Sequence, residues 1–194
     1  MPGAAVVFAD WQGFQLGQEG EYLIRELALV ELGSERAPER FLFRQPLSPC
    51  YLTRSARDHM HVTTRKVHGL EWSATEGLPA AALGKILASR LPANCLVVCK
   101  GAEKTSLLAQ AGPPTCTYKN IEDDEVRVPP ALRALRTANR THHCRSPAHH
   151  GRRLLNCAAE NASNLHRWWT AEAKVNTFNK IQLVSQCKPL CFSL

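Results

Sequence analysis

The chain has 194 residues, of which 44% are apolar, and a formal net charge of +7. This size allows one domain with a proper core, so cross-links are not needed to hold it together. No apolar run approaches the roughly 20 residues of a membrane span, and the first residues lack the basic start of a secretory signal. We therefore expect an intracellular protein whose eight cysteines are free thiols.

Three strands are predicted at the start of the chain. The first is an apolar run that ends at Asp10, after which Gln12 and Gly13 predict a turn. The second follows a glycine-containing turn and is antiparallel to the first, and Arg25 and Glu26 interrupt its apolar pattern. A short third strand precedes a proline-containing segment. The predicted strands cover residues 4–9, 22–32 and 41–43.

Helices and strands alternate in the rest of the chain. A polar, basic connection runs from Tyr51 to His68, and apolar residues at three- and four-residue spacing then predict a helix that Pro92 ends. This helix covers residues 78–91. Further helices are predicted over 102–111, 131–138 and 156–173, and further strands over 96–99 and 115–121. This order predicts an α/β fold, a five-stranded mixed sheet flanked by helices. We assign residues 1–173 to one domain and residues 174–194 to a C-terminal tail.

A segment rich in cysteine and histidine precedes the last predicted helix. Cys144 and His149 lie on a short loop, and Cys157 lies at the start of the helix. Thiolate and imidazole groups at such spacing are the ligands of structural zinc sites. His143 and His150 are alternative ligands. The competing interpretation is an exposed, basic loop with one buried cysteine behind it.

The positive charge is concentrated in one part of the sequence. Seven arginines and no acid lie between Val126 and Arg153, and arginine side chains bind phosphate oxygens well. A glycine between Lys100 and Lys104 starts another helix, whose N-terminus can hold a phosphate. A solvated basic face and an ordinary turn are the alternatives. The predicted nucleic-acid-binding residues are Arg140, Arg145, Arg152, Arg153, Lys100 and Lys104.

Three segments resemble motifs of the DEDD-type 3′–5′ exonucleases. VVFADWQGF followed by LIRELALVEL resembles the first motif, in which an apolar strand ends in Asp-x-Glu. CLVVCKGAEKTSLL resembles the second motif, and NCAAENASNLHRW resembles the third. The resemblance covers roughly residues 4–170 and implies an RNase H-like fold.

The same resemblance locates the positions at which this chain departs from an active enzyme. Two-metal hydrolysis needs carboxylates that hold divalent ions beside the phosphate. Lys104 and Thr105 stand where the acid of the second motif falls, and Asn156 replaces the general-base histidine. We expect Asp10, Gln12 and Asn161 still to converge at one end of the sheet. The degenerate catalytic positions are Asp10, Gln12, Thr105, Asn156 and Asn161, of which only Asp10 is acidic.

This pattern of lost acidic residues also resembles that of the Maelstrom domain of small-RNA-pathway proteins. That domain keeps the RNase H-like fold but lacks the four acidic residues of the exonuclease site. That group carries a zinc-binding Glu-Cys-His-Cys set, which falls by sequence order on Glu26, Cys144, His149 and Cys157. The resemblance implies a structural zinc ion and binding of single-stranded RNA. The alternative is that Glu26 pairs with Arg25 or with an arginine of the loop.

The leading functional hypothesis is a zinc-stabilised, catalytically degenerate nuclease-fold domain. It would bind nucleic acid, RNA rather than DNA, through its arginine-rich face. One alternative is an active metal-dependent nuclease that uses Asp10 together with Glu26 or Glu103. Another is a protein-interaction module of a viral or mobile-element protein, in which the basic stripe docks an acidic partner.

Overall fold

The computed structural model describes residues 5–16, 22–73, 75–123 and 156–186. The strands within these ranges form one six-stranded mixed sheet. In chain order they are β1 (Val6–Gln15), β2 (Tyr22–Glu31), β3 (Glu39–Arg44), β4 (Leu78–Pro79), β5 (Leu96–Cys99) and β6 (Thr117–Asn120). Their order across the sheet is β4-β3-β2-β1-β5-β6, which confirms the predicted mixed α/β architecture.

The described helices pack on this sheet and connect its strands. They are α1 (Arg54–Thr63), α2 (Leu83–Arg90), α3 (Ala102–Ala111) and α4 (Ala158–Gln186). The three predicted strands at the start of the chain pair antiparallel in chain order, β1 with β2 and β2 with β3, and form a meander. β5 runs parallel to both β1 and β6. Parallel neighbours need a crossover connection, and α3 provides it between β5 and β6.

Side-chain alternation along β1 divides the core into two layers. Val7, Ala9 and Trp11 belong to the cluster that α2 and α3 complete. Phe8 belongs to the cluster completed by α4, and Asp10 faces the same helix through a hydrogen bond to Asn161. Because successive residues of a strand point to opposite faces, one strand can supply both a core and a polar site.

The strand β4 adds a sixth member to the five predicted strands. The prediction places Leu78 and Pro79 at the start of a helix, which is wrong. Both residues instead pair in parallel with the edge of the sheet at Phe43 and Arg44, and α2 begins only at Leu83. Proline fits this outer position because it has no N–H group to donate to a further strand.

β1 is longer than predicted, and the turn expected at Gln12 and Gly13 is wrong. The strand continues to Gln15 through an irregularity where its register with β2 shifts between Gln12 and Gly13. A Cβ atom added at Gly13 would lie 2.1 Å from the main-chain oxygen of Leu23. Glycine therefore permits the two strands to stay paired, and Gln12 stays in the sheet directly opposite Glu26.

The basic connection predicted over 51–68 contains a helix that the sequence interpretation missed. This helix, α1, buries Ala56 and Met60 one turn apart. Both pack against Phe14 and Trp72 in a third apolar cluster. Only two apolar residues of this helix are buried, and the residues between them are polar or charged, so its helical period is weak and the sequence pattern did not show it.

The last helix begins and ends later than predicted. The prediction is 156–173, whereas α4 covers Ala158–Gln186 and continues past the expected domain boundary at Ala173. The division into a domain and a tail stays a prediction. The helix predicted over 131–138 lies outside the described residues. Across the ranges that are described, no helix is long and apolar enough to cross a membrane.

Candidate functional site

Polar side chains from β1, α3 and α4 meet around the carboxylate of Asp10. This residue is completely buried. Its Oδ2 atom accepts hydrogen bonds from Gln12 Nε2 and Asn161 Nδ2, each at 2.9 Å. Its Oδ1 atom forms an ion pair and hydrogen bond with Nζ of Lys104. Both carboxylate oxygens are therefore engaged by protein groups.

The fold explains why these four residues converge. Asp10 and Gln12 lie two positions apart on β1 and face α4, on which Asn161 lies in the first turn. Lys104 lies in the first turn of α3, directly after β5, the parallel neighbour of β1. The expected convergence of Asp10, Gln12 and Asn161 is observed, and the structure adds the contact from Lys104 that the sequence interpretation missed.

Lys104 is held in place by the aromatic ring on the opposite face of β1. The indole Nε1 of Trp11 donates to the main-chain oxygen of Lys104 at 3.2 Å. The Nζ atom of Lys104 lies 5.7 Å from the Trp11 ring centroid, within range of a cation–π interaction. As the alternation predicts, the Trp11 side chain points away from that of Asp10 and belongs to the core.

Burial and charge act on Asp10 in opposite directions. Loss of solvent raises the pKa of Asp10, and the ammonium of Lys104 and the hydrogen bonds from Lys104, Asn161 and Gln12 lower it. The net direction is upward because burial is the largest effect. The nearby Cys99 responds to the same environment. Burial raises the pKa of its thiol to about 12, and the charge of Asp10 adds to the increase.

The other two degenerate positions have different surroundings. The hydroxyl of Thr105 donates to the main-chain oxygen of Gly101 at 3.0 Å, so Thr105 stabilises the start of α3. Of the two candidates for the second-motif position, Lys104 is the one that contacts Asp10. Asn156 is half-buried and lies two residues before the start of α4.

Two of the four predicted zinc ligands, Glu26 and Cys157, lie on segments that contact each other. Glu26 is completely buried on β2, and its Oε2 atom accepts a hydrogen bond from the main-chain N–H of Ala158 at 3.0 Å. Cys157, also buried, immediately precedes Ala158. Cys144 and His149, like the alternatives His143 and His150, lie outside the described residues.

Glu26 also has a cationic partner, which differs from those expected. Its Oε1 atom forms an ion pair with Nε of Arg40 on β3. The guanidinium of Arg25 donates to the main-chain oxygens of Phe43, Glu71 and Glu76. In the described part of the chain, no three His, Cys, Asp or Glu side chains are grouped to hold a metal ion.

Both predicted phosphate-binding lysines are engaged with acids. Lys104 pairs with Asp10, and Nζ of Lys100 lies 2.5 Å from Oε1 of Glu122. Their positive charge is therefore largely compensated within the protein. The four predicted nucleic-acid-binding arginines, Arg140, Arg145, Arg152 and Arg153, lie outside the described residues.

Comparison with known proteins identifies the fold. No protein-family model matches the sequence, and no curated protein matches it. Among solved structures, E. coli exonuclease I in complex with a dT13 oligonucleotide superimposes with a TM-score of 0.54 at 12% sequence identity. The match covers 95% of this chain but only 43% of exonuclease I. Exonuclease X in complex with 5′ overhanging duplex DNA gives a TM-score of 0.47 at 16% identity, over 87% of this chain and 93% of that one. The chain thus has the RNase H-like α/β fold of exonuclease I.

Proposed function

We propose that this chain is a nuclease-fold domain that binds nucleic acid without two-metal hydrolysis. The observation that carries the proposal is the state of Asp10, whose carboxylate is occupied by the ammonium of Lys104 and by the amides of Gln12 and Asn161. A hydrolytic site of this fold needs several free carboxylates around divalent ions. Here an internal cation compensates Asp10, and two amides donate to it.

The affinity for nucleic acid is proposed from two features. The chain has a net charge of +7, and a structure that shares its fold, exonuclease I, was solved in complex with dT13. Positively charged surfaces bind the phosphate backbone regardless of sequence. RNA is proposed over DNA from the resemblance to Maelstrom domains alone.

The test combines binding and cleavage on the same oligonucleotides. Fluorescence anisotropy should detect binding of labelled single-stranded RNA and DNA in the presence of EDTA. Gel analysis should then find no cleavage after Mg²⁺ or Mn²⁺ is added, for the natural chain and for Asp10→Ala alike. Cleavage that needs a divalent ion and disappears in Asp10→Ala would favour the active-nuclease alternative. Absence of binding to any oligonucleotide would favour the protein-interaction alternative.

The zinc ion is a separate part of the proposal. The hydrogen bond from the main-chain N–H that follows Cys157 to Glu26 supports a site that joins β2 to this helix. Zinc would replace Arg40 as the partner of Glu26, and Cys144 and His149 would be the remaining ligands. Such an ion would act as a structural cross-link. Elemental mass spectrometry should find about one zinc per chain, and Cys157→Ser should lose it together with thermal stability. Full zinc content in Cys157→Ser would contradict this ligand set.

A further inference from the structure

The exposed side of α1 and the turn after it carry a group of basic side chains that the predicted binding surfaces do not include. Arg54, Arg65 and Lys66 are all exposed, and so are His59 and His61. The ion pairs found among the described residues involve none of them. This differs from Lys100 and Lys104, whose charges are compensated by acids.

The buried side of α1 gives these cations a fixed position. Ala56 and Met60 pack against Phe14 of β1, and the side chain of Thr53 caps the helix by accepting from the main-chain N–H of Ala56 at 3.2 Å. The π-helical turn Thr64–His68 continues α1 and presents Arg65 and Lys66. Because the helix is anchored, its backbone is already ordered before a ligand binds, which lowers the entropy cost of binding.

An exposed aromatic ring lies at the beginning of this helix. Tyr51 is 78% exposed and ends the short 3₁₀ turn that leads into α1. Surfaces that bind single-stranded nucleic acid combine cations for the backbone with aromatic rings on which bases stack. The acid on this helix is Asp58, which is exposed. The half-buried Arg57 is directed inward and donates to the main-chain oxygen of Leu52 at 2.8 Å.

We infer that α1, with Arg54, Arg65, Lys66 and Tyr51, forms a binding surface for single-stranded nucleic acid. The three cations contact phosphates, and Tyr51 stacks on a base. The distance along the helix from Arg54 to Arg65 is about 16 Å. Neighbouring phosphates on one strand of a duplex are about 3.4 Å apart along its axis, so a bound strand would place several phosphates along this length. This inference rests on the proposed function, because it locates on a described surface the nucleic-acid binding proposed there.

The test compares two triple variants with the same change in charge. Arg54→Gln, Arg65→Gln and Lys66→Gln remove three cations from α1. The matched control, Arg36→Gln, Arg44→Gln and Lys85→Gln, removes three exposed cations from other parts of the surface. Anisotropy titrations of the full chain with a labelled single strand of about 15 nucleotides at several salt concentrations give the affinity and its salt dependence.

We expect the α1 variant to lose affinity on the order of tenfold. The slope of log affinity against log salt concentration should become shallower by about 2. The control should change much less. Tyr51→Ala should weaken single-strand binding by about fivefold or more and leave binding to a duplex of the same length unchanged. Equal losses in both triple variants would mean that binding follows net charge, which overturns the inference.

The outcomes also separate this inference from the function on which it rests. If the natural chain binds and the α1 variant binds equally well, only the inference fails. If the natural chain binds no oligonucleotide, the proposed function fails as well. Circular dichroism melts of both triple variants check that their fold is intact.

Discussion

The proposed absence of two-metal hydrolysis depends on the interaction between Lys104 and Asp10. A carboxylate that is completely buried is costly without a compensating cation. In a metal-dependent site that compensation comes from the divalent ion, whereas here the ammonium of Lys104 supplies it from within the chain. We therefore expect the contact that stabilises the fold also to oppose metal binding.

Lys104→Met should destabilise the protein by on the order of 2–3 kcal/mol. The variant leaves the buried Asp10 without its cation, and the side chain of Lys104 is only 24% exposed. Urea denaturation at neutral pH measures the loss. Lys100→Met is the matched control. The side chain of Lys100 is 15% exposed, but its partner Glu122 is 42% exposed and stays solvated without the lysine, so the loss should be less than about 1 kcal/mol. Equal effects of the two substitutions would contradict the importance assigned to Lys104.

The pH dependence of the Lys104→Met variant follows from the raised pKa of Asp10. An acid with a raised pKa contributes stability that is present below its unfolded pKa and is lost as pH rises through its folded pKa. Removing the ammonium removes an influence that lowers the pKa of Asp10. The destabilisation should therefore be smaller at about pH 5 than at about pH 7. A loss of stability that does not vary with pH would contradict this explanation.

Glu26→Gln tests the second buried acid of the site. The substitution keeps the shape of the side chain but removes the charge that Arg40 and the N-terminus of α4 contact. We expect a loss on the order of 2 kcal/mol in chemical denaturation. The exposed residue Glu122, replaced in the same way, is the control and should lose less than about 1 kcal/mol.

At the scale of elements, β5 and β6 place three cysteines in or beside the core. Cys95, Cys99 and Cys116 are buried, and the sulfur atoms of Cys95 and Cys116 lie 3.4 Å apart. Burial raises the pKa of Cys99 to about 12 and also raises that of Tyr118 to about 12. These groups therefore stay neutral in the folded protein under conditions in which they would ionise in the unfolded chain.

Alkylation and alkaline stability both test this arrangement. Native labelling with iodoacetamide, read by peptide mass spectrometry, should modify the exposed Cys50 and leave Cys95, Cys99 and Cys116 unmodified. Since the folded pKa of Cys99 is raised above the ordinary 9.0, its contribution to stability is present below about pH 9 and is lost as the pH approaches 12. Rapid labelling of Cys99 in the folded protein would contradict its burial.

Some elements could be predicted from the sequence because local patterns determine them. The meander and the buried strand β5 are apolar runs between turn residues, so their positions follow from composition. The helix α1 and strand β4 could not be predicted in this way. The apolar side of α1 is narrow, and Leu78 and Pro79 become a strand only because the edge of β3 is available to them.

The candidate site shows the same limit at longer range. The motif resemblance predicted that Asp10, Gln12 and Asn161 converge. The partners Lys104 and Arg40 were not predicted, because each depends on how two distant segments lie in the folded sheet. A signal for Arg40 exists in the meander, where it lies diagonally across from Glu26 on the neighbouring strand.

At the scale of the whole molecule, the chain shares the fold of exonuclease I, and the buried Asp10 of its candidate site is paired with a lysine of the same chain, Lys104. The chain spans 43% of the length of exonuclease I, so the activity and substrates of a whole enzyme of this fold are proposals for this protein. The exposed cations of α1 lie on a different element from the neutralised site. The proposed binding and the proposed absence of hydrolysis can therefore be tested separately.

The measurement that tests the central claim most directly is Mn²⁺ binding, followed by electron paramagnetic resonance, in the natural chain and in Asp10→Asn. We predict that the two proteins bind the same amount of Mn²⁺, because Lys104, Gln12 and Asn161 already occupy the carboxylate of Asp10. A Mn²⁺ site that is present in the natural chain and absent from Asp10→Asn would contradict the claim. It would also show that Asp10 exchanges its ammonium partner for a metal ion.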